Sequence, residues 1–124
     1  MDWREMKMFS GIDLNDSFVM SWNLSASELL IELEASIWPD SELYLAPKSN
    51  EYTCYRRITV VFIGFTEVRG LIDIAIIEGT VDPDGTTDYC NIDTFLKVPS
   101  GFLLSGSFGN VEVVGGHVQL EVNT

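Results

Sequence analysis

The chain has 124 residues, 46% of them hydrophobic, and carries 19 acids against 7 lysines and arginines, a formal net charge of −12 at pH 7. Such a one-sided surface repels phosphate polymers and anionic headgroups, which argues against nucleic acid and membrane surfaces as partners, and it attracts cations or the basic face of another protein. The apolar content is too high for a solvated polyanion, so a single domain over residues 1–124 with its own core is expected.

The charge is unevenly placed. No lysine or arginine lies between Lys7 and Lys48, and beyond Gly70 the only such cation is Lys97, against eight carboxylates. At the start, Asp2 followed three positions on by Glu5 is a capping-box-like signal for a short helical turn. Charges interrupt residues 1–10, unlike the apolar run of a secretory signal, and no apolar stretch reaches the about 18 residues of a membrane span. A cytoplasmic protein is therefore expected, with Cys54 and Cys90 as reduced thiols.

Phe18, Met20, Trp22 and Leu24 alternate with Ser17, Val19, Ser21 and Asn23, and after Ser25-Ala26-Ser27 the pattern resumes. Leu29, Ile31, Leu33, Ala35 and Ile37 alternate with Glu28, Leu30, Glu32, Glu34 and Ser36. Period two means half-buried strands, and the short link predicts a hairpin. A polar loop follows from Pro39 to Asn50. Residues 57–65 are apolar on both faces, as in a central strand, with Gly64 a candidate bulge. Residues 71–77 read as another strand from their β-branched content. Cys90, Ile92, Thr94, Leu96 and Val98 line one side of the next strand, and Pro99-Ser100-Gly101 turns the chain into residues 102–108. Gly109-Asn110 and Gly115-Gly116 are dipeptides suited to tight hairpins, which makes the last third a four-stranded meander.

The expected fold is all-β, an antiparallel sandwich or partly open barrel of about eight strands with a short N-terminal helical turn. Its core should hold Phe18 or Val19, Trp22, Ile31, Leu33, Val60, Phe62, Ile74, Ile92, Leu96, Leu104 and Val113.

The chemistry-bearing candidates are few. Glu28, Glu32 and Glu34 fall on the outward face of one strand, a row of negative charge fit for the lysines or arginines of a basic partner; a solvated strand face is the plain alternative. Asp82, Asp84 and Asp88 surround Gly85 and offer hard oxygens to a calcium ion, but no distal bidentate glutamate follows, and Pro83-Asp84-Gly85 is also an ordinary turn. No cofactor is expected. Paired aspartates suggest glycoside hydrolysis only where a cleft exists. His117, the only histidine, would need Cys54, Cys90 or Ser105 brought beside it to form a dyad. Trp22, Trp38, Tyr44, Tyr52, Tyr55 and Tyr89 serve either a core or a sugar- or protein-binding platform, with Trp38 and the tyrosines near residues 40–55 the candidates for exposure. The pair Arg56-Arg57 should meet nearby acids at a strand entry.

The stretch Asn15-Asp16-Ser17-Phe18-Val19-Met20-Ser21-Trp22, with Pro47 through Cys54-Tyr55 and the Asp-rich loop, resembles small bacterial cytosolic proteins, some grouped with immunity proteins of toxin systems. The resemblance covers the middle two-thirds of the chain. It implies a compact, acidic, non-enzymatic inhibitor that covers a basic toxin surface, and it assigns no site residue. The expected function is thus a protein-binding module, with a small-ligand, carbohydrate or calcium-binding β domain as the alternative.

Overall fold

The computed structural model describes residues 1–41, 44, 54–81, 83 and 85–122. Eight strands follow in order: β1 Ile12–Leu24, β2 Glu28–Ile37, β3 Cys54–Arg69, β4 Thr80–Val81, β5 Thr87–Asp88, β6 Ile92–Val98, β7 Gly101–Gly106 and β8 Gly109–Val122. Six form one antiparallel sheet in the order β1-β2-β3-β8-β7-β6, and β4 pairs with β5 in a separate ribbon. Two three-stranded meanders, β1-β2-β3 and β6-β7-β8, are thus joined along β3 and β8.

The sheet curls until its outer strands approach. Val19 N–H donates to the Cys90 carbonyl at 2.7 Å and Tyr89 N–H to the Val19 carbonyl at 2.8 Å, just ahead of β6. On the other side of β6, Asp2 forms a bridge with Leu96, and Lys97 N–H donates to the Met1 carbonyl at 2.6 Å. The result is a half-barrel whose gap the N-terminal segment lines. That segment makes two 3-10 turns, Trp3–Glu5 and Lys7–Phe9, the first capped as expected by Asp2, whose carboxylate accepts the Arg4 N–H at 3.0 Å.

The core is aromatic and continuous. Phe95 packs against Phe9, Phe62 and Phe102 with ring centroids 5.5, 5.7 and 6.3 Å apart. Trp22 meets Tyr89 and Phe108, and its indole N–H donates to the Ile72 carbonyl at 2.7 Å. Burying a ring of this kind contributes about 1.5–3 kcal/mol, with edge-to-face geometry adding about 0.5–1.5 kcal/mol per pair. Val19, Trp22, Ile31, Leu33, Val60, Phe62, Ile92, Leu104 and Val113 are all buried; β2 follows its alternation, whereas in β1 a register shift between Val19 and Ser21 turns both Val19 and Trp22 inward and leaves Leu24 exposed. In β3 the buried run Val60, Val61 and Phe62 fits its central place between β2 and β8.

Four expectations need correction, each for a local reason. Leu96 is half-buried and Phe95 takes its core position, because a register shift between Ile92 and Thr94 reverses which side chains face inward. Residues 71–77 are not a strand: Asp73 accepts the Ala75 N–H at 2.9 Å and caps a 3-10 turn, Ile74–Ile76, leaving Ile74 only half-buried. Gly115-Gly116 does not turn the chain but bends β8 in mid-strand, opposite the register shift at Phe65 in β3. A Cβ on Gly116, at φ +83°, would meet the Ile63 carbonyl at 2.5 Å. The C-terminal meander consequently has three strands, not four, and its tight turn falls at Ser107-Phe108, with Gly106 opposite Gly109.

Candidate functional site

The outward face of the β1-β2-β3-β8 half of the sheet follows from register alone. Successive cross-strand rows are Asn23, Leu30, Val61 and Gln119; Ser21, Glu32, Thr59 and Glu121; then Phe18, Glu34 and Arg57; Glu28 stands in line with Ile63 and His117. Glu28, Glu32 and Glu34 therefore share a face while Leu29, Ile31 and Leu33 are buried behind them. The row is not bare, however. Antiparallel pairing sets Arg57 opposite Glu34, and its guanidinium reaches Glu32 at 2.9 Å and Glu34 at 4.0 Å. Half-exposed pairs of this kind contribute about 0–1 kcal/mol, so Arg57 chiefly cancels one charge and spaces the two carboxylates.

The structure adds two acids that the alternation in the sequence did not single out. Between Asp13, opposite Ser36, and Phe18, opposite Glu34, β1 carries four residues where β2 has only Ala35. This wide bulge is stitched by Ser17, whose hydroxyl donates to the Asp13 carbonyl and accepts the Ser36 N–H at 3.0 Å. The amide of Asn91 donates to the Ser17 carbonyl at 2.7 Å. The bulge carries Asp16 over Tyr55, whose hydroxyl donates to the Asp16 carboxylate at 3.3 Å, and Phe18 lies against the same ring with centroids 6.1 Å apart. Partial burial, then the fields of Asp16, Glu34 and Asp13, push the Tyr55 phenol above its ordinary value. Asp13, Asp16 and Glu34 thus act on one point, and Asp16 and Asp13 belong to the patch through a backbone irregularity that period-two reading cannot foresee.

Beyond Asp13 an open cleft of about 630 Å³ is lined in part by Trp38, Asp40, Asn15, Asp13 and Arg4. Trp38 is 54% exposed, and its backbone N–H is fixed to the Gly11 carbonyl at 2.7 Å. Of the aromatic candidates, Trp38 is presented to solvent, Tyr55 joins the acidic patch, Trp22 and Tyr89 are spent on the core, Tyr44 packs against the core, and Tyr52 lies outside the described residues.

Of the calcium candidates, Asp82 and Asp84 lie outside the described residues. Asp88 is buried in β5, where one carboxylate oxygen accepts the Cys90 N–H at 3.1 Å. The β4-β5 ribbon brackets the segment, and Gly85 at φ +89° supplies the conformation a turn needs. Among the described residues no three of His, Cys, Asp and Glu converge as metal ligands. His117 stands opposite Ile63, Ser105 opposite Asn110 and Cys54 opposite Ile37, so pairing register keeps these dyad candidates on different rows. No disulfide joins the two cysteines; Cys54 is buried and Cys90 exposed. No described helix is long and apolar enough to cross a membrane. No family model, curated protein or solved structure matches the chain.

Proposed function

We propose that this chain is an acidic protein-binding module of the inhibitor or immunity type, which acts in the cytoplasm and covers a basic surface of its partner without catalysing a reaction. The observation that carries the reading is the convergence of Asp13, Asp16 and Glu34 around Tyr55, continued along β2 by Glu32 and Glu28. The sheet fixes the backbone that carries these carboxylates, so little backbone entropy is lost when a lysine or arginine docks among them. Tyr55 and Phe18 add the aromatic surface on which interfaces concentrate binding energy. A field of this sign also speeds encounter with a cationic partner.

The test is capture of partners from a lysate of the source organism at low and at about physiological salt, where the Debye length shortens to about 8 Å. A basic partner should be retained at low salt and lost as salt rises. The Asp13→Asn/Asp16→Asn variant and the Glu28→Gln/Glu32→Gln/Glu34→Gln variant should each weaken capture. A partner held equally by both variants would remove this face from the mechanism. A second reading rests on the exposed Trp38 beside Asp13, Asn15 and Asp40: a neutral ligand such as a sugar could stack there. It predicts binding that salt does not change and that Trp38→Ala abolishes.

A further inference from the structure

The two ends of β8 are treated differently. Residues 109–114 pair with β7, and Gly115 N–H still reaches the Ser100 carbonyl at 2.7 Å. From Gly116 to Val122 the strand pairs with β3 on one side, and among the described residues no strand lies on the other. An edge of this length presents a row of backbone donors and acceptors that readily template another strand. The side chains on its core side are also incompletely covered: Val118, Leu120 and Val122 are only half-buried, and Leu120 and Val122 border an open cavity of about 700 Å³. The usual protections of such an edge, proline or inward-pointing charge, do not occur in Gly116-His117-Val118-Gln119-Leu120-Glu121-Val122.

We infer that this edge pairs with the same edge of a second copy, antiparallel about a two-fold axis through Gln119. The register follows from the strand itself. Gln119 is the midpoint of residues 116–122, so a symmetric pairing that uses the whole free edge places Gln119 opposite Gln119, Val118 opposite Leu120 and His117 opposite Glu121. That alignment sets the chain's only imidazole against a carboxylate twice on the solvent face and packs valine on leucine twice on the core side, the complementary cross-strand pairs that stabilise antiparallel sheets. A shift of the axis by one residue in either direction opposes Glu121 or His117 to Gln119 and leaves one end of the edge unpaired. The interface is isologous and closes at two copies. The net charge of −12 on each copy opposes association at long range, so the dimer strengthens as salt screens that repulsion, the reverse of the salt response expected for a basic partner.

The test uses single cysteines placed in a Cys90→Ser chain, with sedimentation velocity on the unmodified protein. Partners directly opposite in an antiparallel pair have Cα atoms about 4.5–5.5 Å apart, within disulfide reach, whereas two copies of residue 117, or of residue 121, lie about four residues of strand, some 13 Å, out of step. Gln119→Cys should cross-link to a dimer at least about tenfold faster than His117→Cys or Glu121→Cys, and the double variant His117→Cys/Glu121→Cys should cross-link as well as Gln119→Cys, a contrast that disulfide geometry makes sharp. Unmodified protein should dimerise with rising concentration, more readily at about 0.5 M salt than at low salt. Equal cross-linking at positions 117, 119 and 121, or a monomer at millimolar concentration in high salt, overturns the inference. Neither result bears on the acidic face, whose variants lie on β1 and β2.

Discussion

Two serines that meet across the β1 bulge should respond oppositely to the same substitution. Ser17 and Ser36 are both buried, at 1% and 0% exposure. The Ser17 hydroxyl makes two hydrogen bonds, to the Asp13 carbonyl and from the Ser36 N–H, while the Ser36 hydroxyl has no partner among the described residues. In Ser17→Ala the Ser36 N–H is left buried without an acceptor, which costs about 1–3 kcal/mol, and the lost bond to the half-buried Asp13 carbonyl adds up to about 1 kcal/mol. For a chain of this length, about 2–3 kcal/mol corresponds to a fall in Tm of roughly 6–15 °C. Ser36→Ala removes a hydroxyl that was desolvated without return, so its stability should be unchanged or raised by up to about 1 kcal/mol. Urea titrations of the three proteins, fitted with a shared slope, measure both differences. A Ser17→Ala loss below about 1 kcal/mol, or a Ser36→Ala loss larger than that of Ser17→Ala, would refute the hydrogen-bond assignment on which the bulge rests.

Phe95→Ala should cost about 3–5 kcal/mol and Leu96→Ala less than about 2 kcal/mol by chemical denaturation; equal losses would contradict the register shift at Asp93. Tyr55 has a raised phenol pKa in the folded chain, so above pH 10, the ordinary tyrosine value, the unfolded chain ionises first and stability falls as pH climbs toward the folded value. Thermal melts across that range should show the decline, and Asp16→Asn should lessen it. Gly115 and Gly116 both have positive φ, but a Cβ on Gly115 meets nothing within 4 Å whereas one on Gly116 meets backbone. Gly115→Ala should therefore cost about 1 kcal/mol and Gly116→Ala about 2–4 kcal/mol, compared by thermal melts.

Strand alternation was legible wherever the backbone stayed regular. Glu28 to Ile37 shows the buried and exposed pattern of its sequence almost residue for residue, and every row of its pairing to β3 is unshifted. The reading failed at bulges, because one extra residue exchanges the two faces and leaves no mark in composition. Leu96 lost its core place to Phe95 that way, and Asp13 and Asp16 became part of the acidic patch through the same device. Gly115-Gly116 misled for a related reason: the positive φ that a hairpin requires also permits a bend within a continuous strand. The arginine that offsets Glu32 and Glu34 was visible as Arg56-Arg57, but which of the two faced the glutamates depended on register, which only the folded sheet fixes.

The seam between β3 and β8 also sets the order of folding events. Each three-stranded meander is built from neighbours in the chain: β1-β2, β6-β7 and β7-β8 close over short links at small entropic cost and on a microsecond scale, whereas β2 and β3 are joined by residues 38–53. Joining them requires Ile58 to find Val122 and Arg69 to find Glu112 across a long intervening chain, and the bonds from Val19 to residues 89 and 90 are likewise long-range. Such high contact order points to folding in about milliseconds to seconds, with the seam as the committing step. Substitutions in Val60 or Phe62 should therefore slow folding, whereas changes confined to the β6-β7 hairpin should mainly speed unfolding.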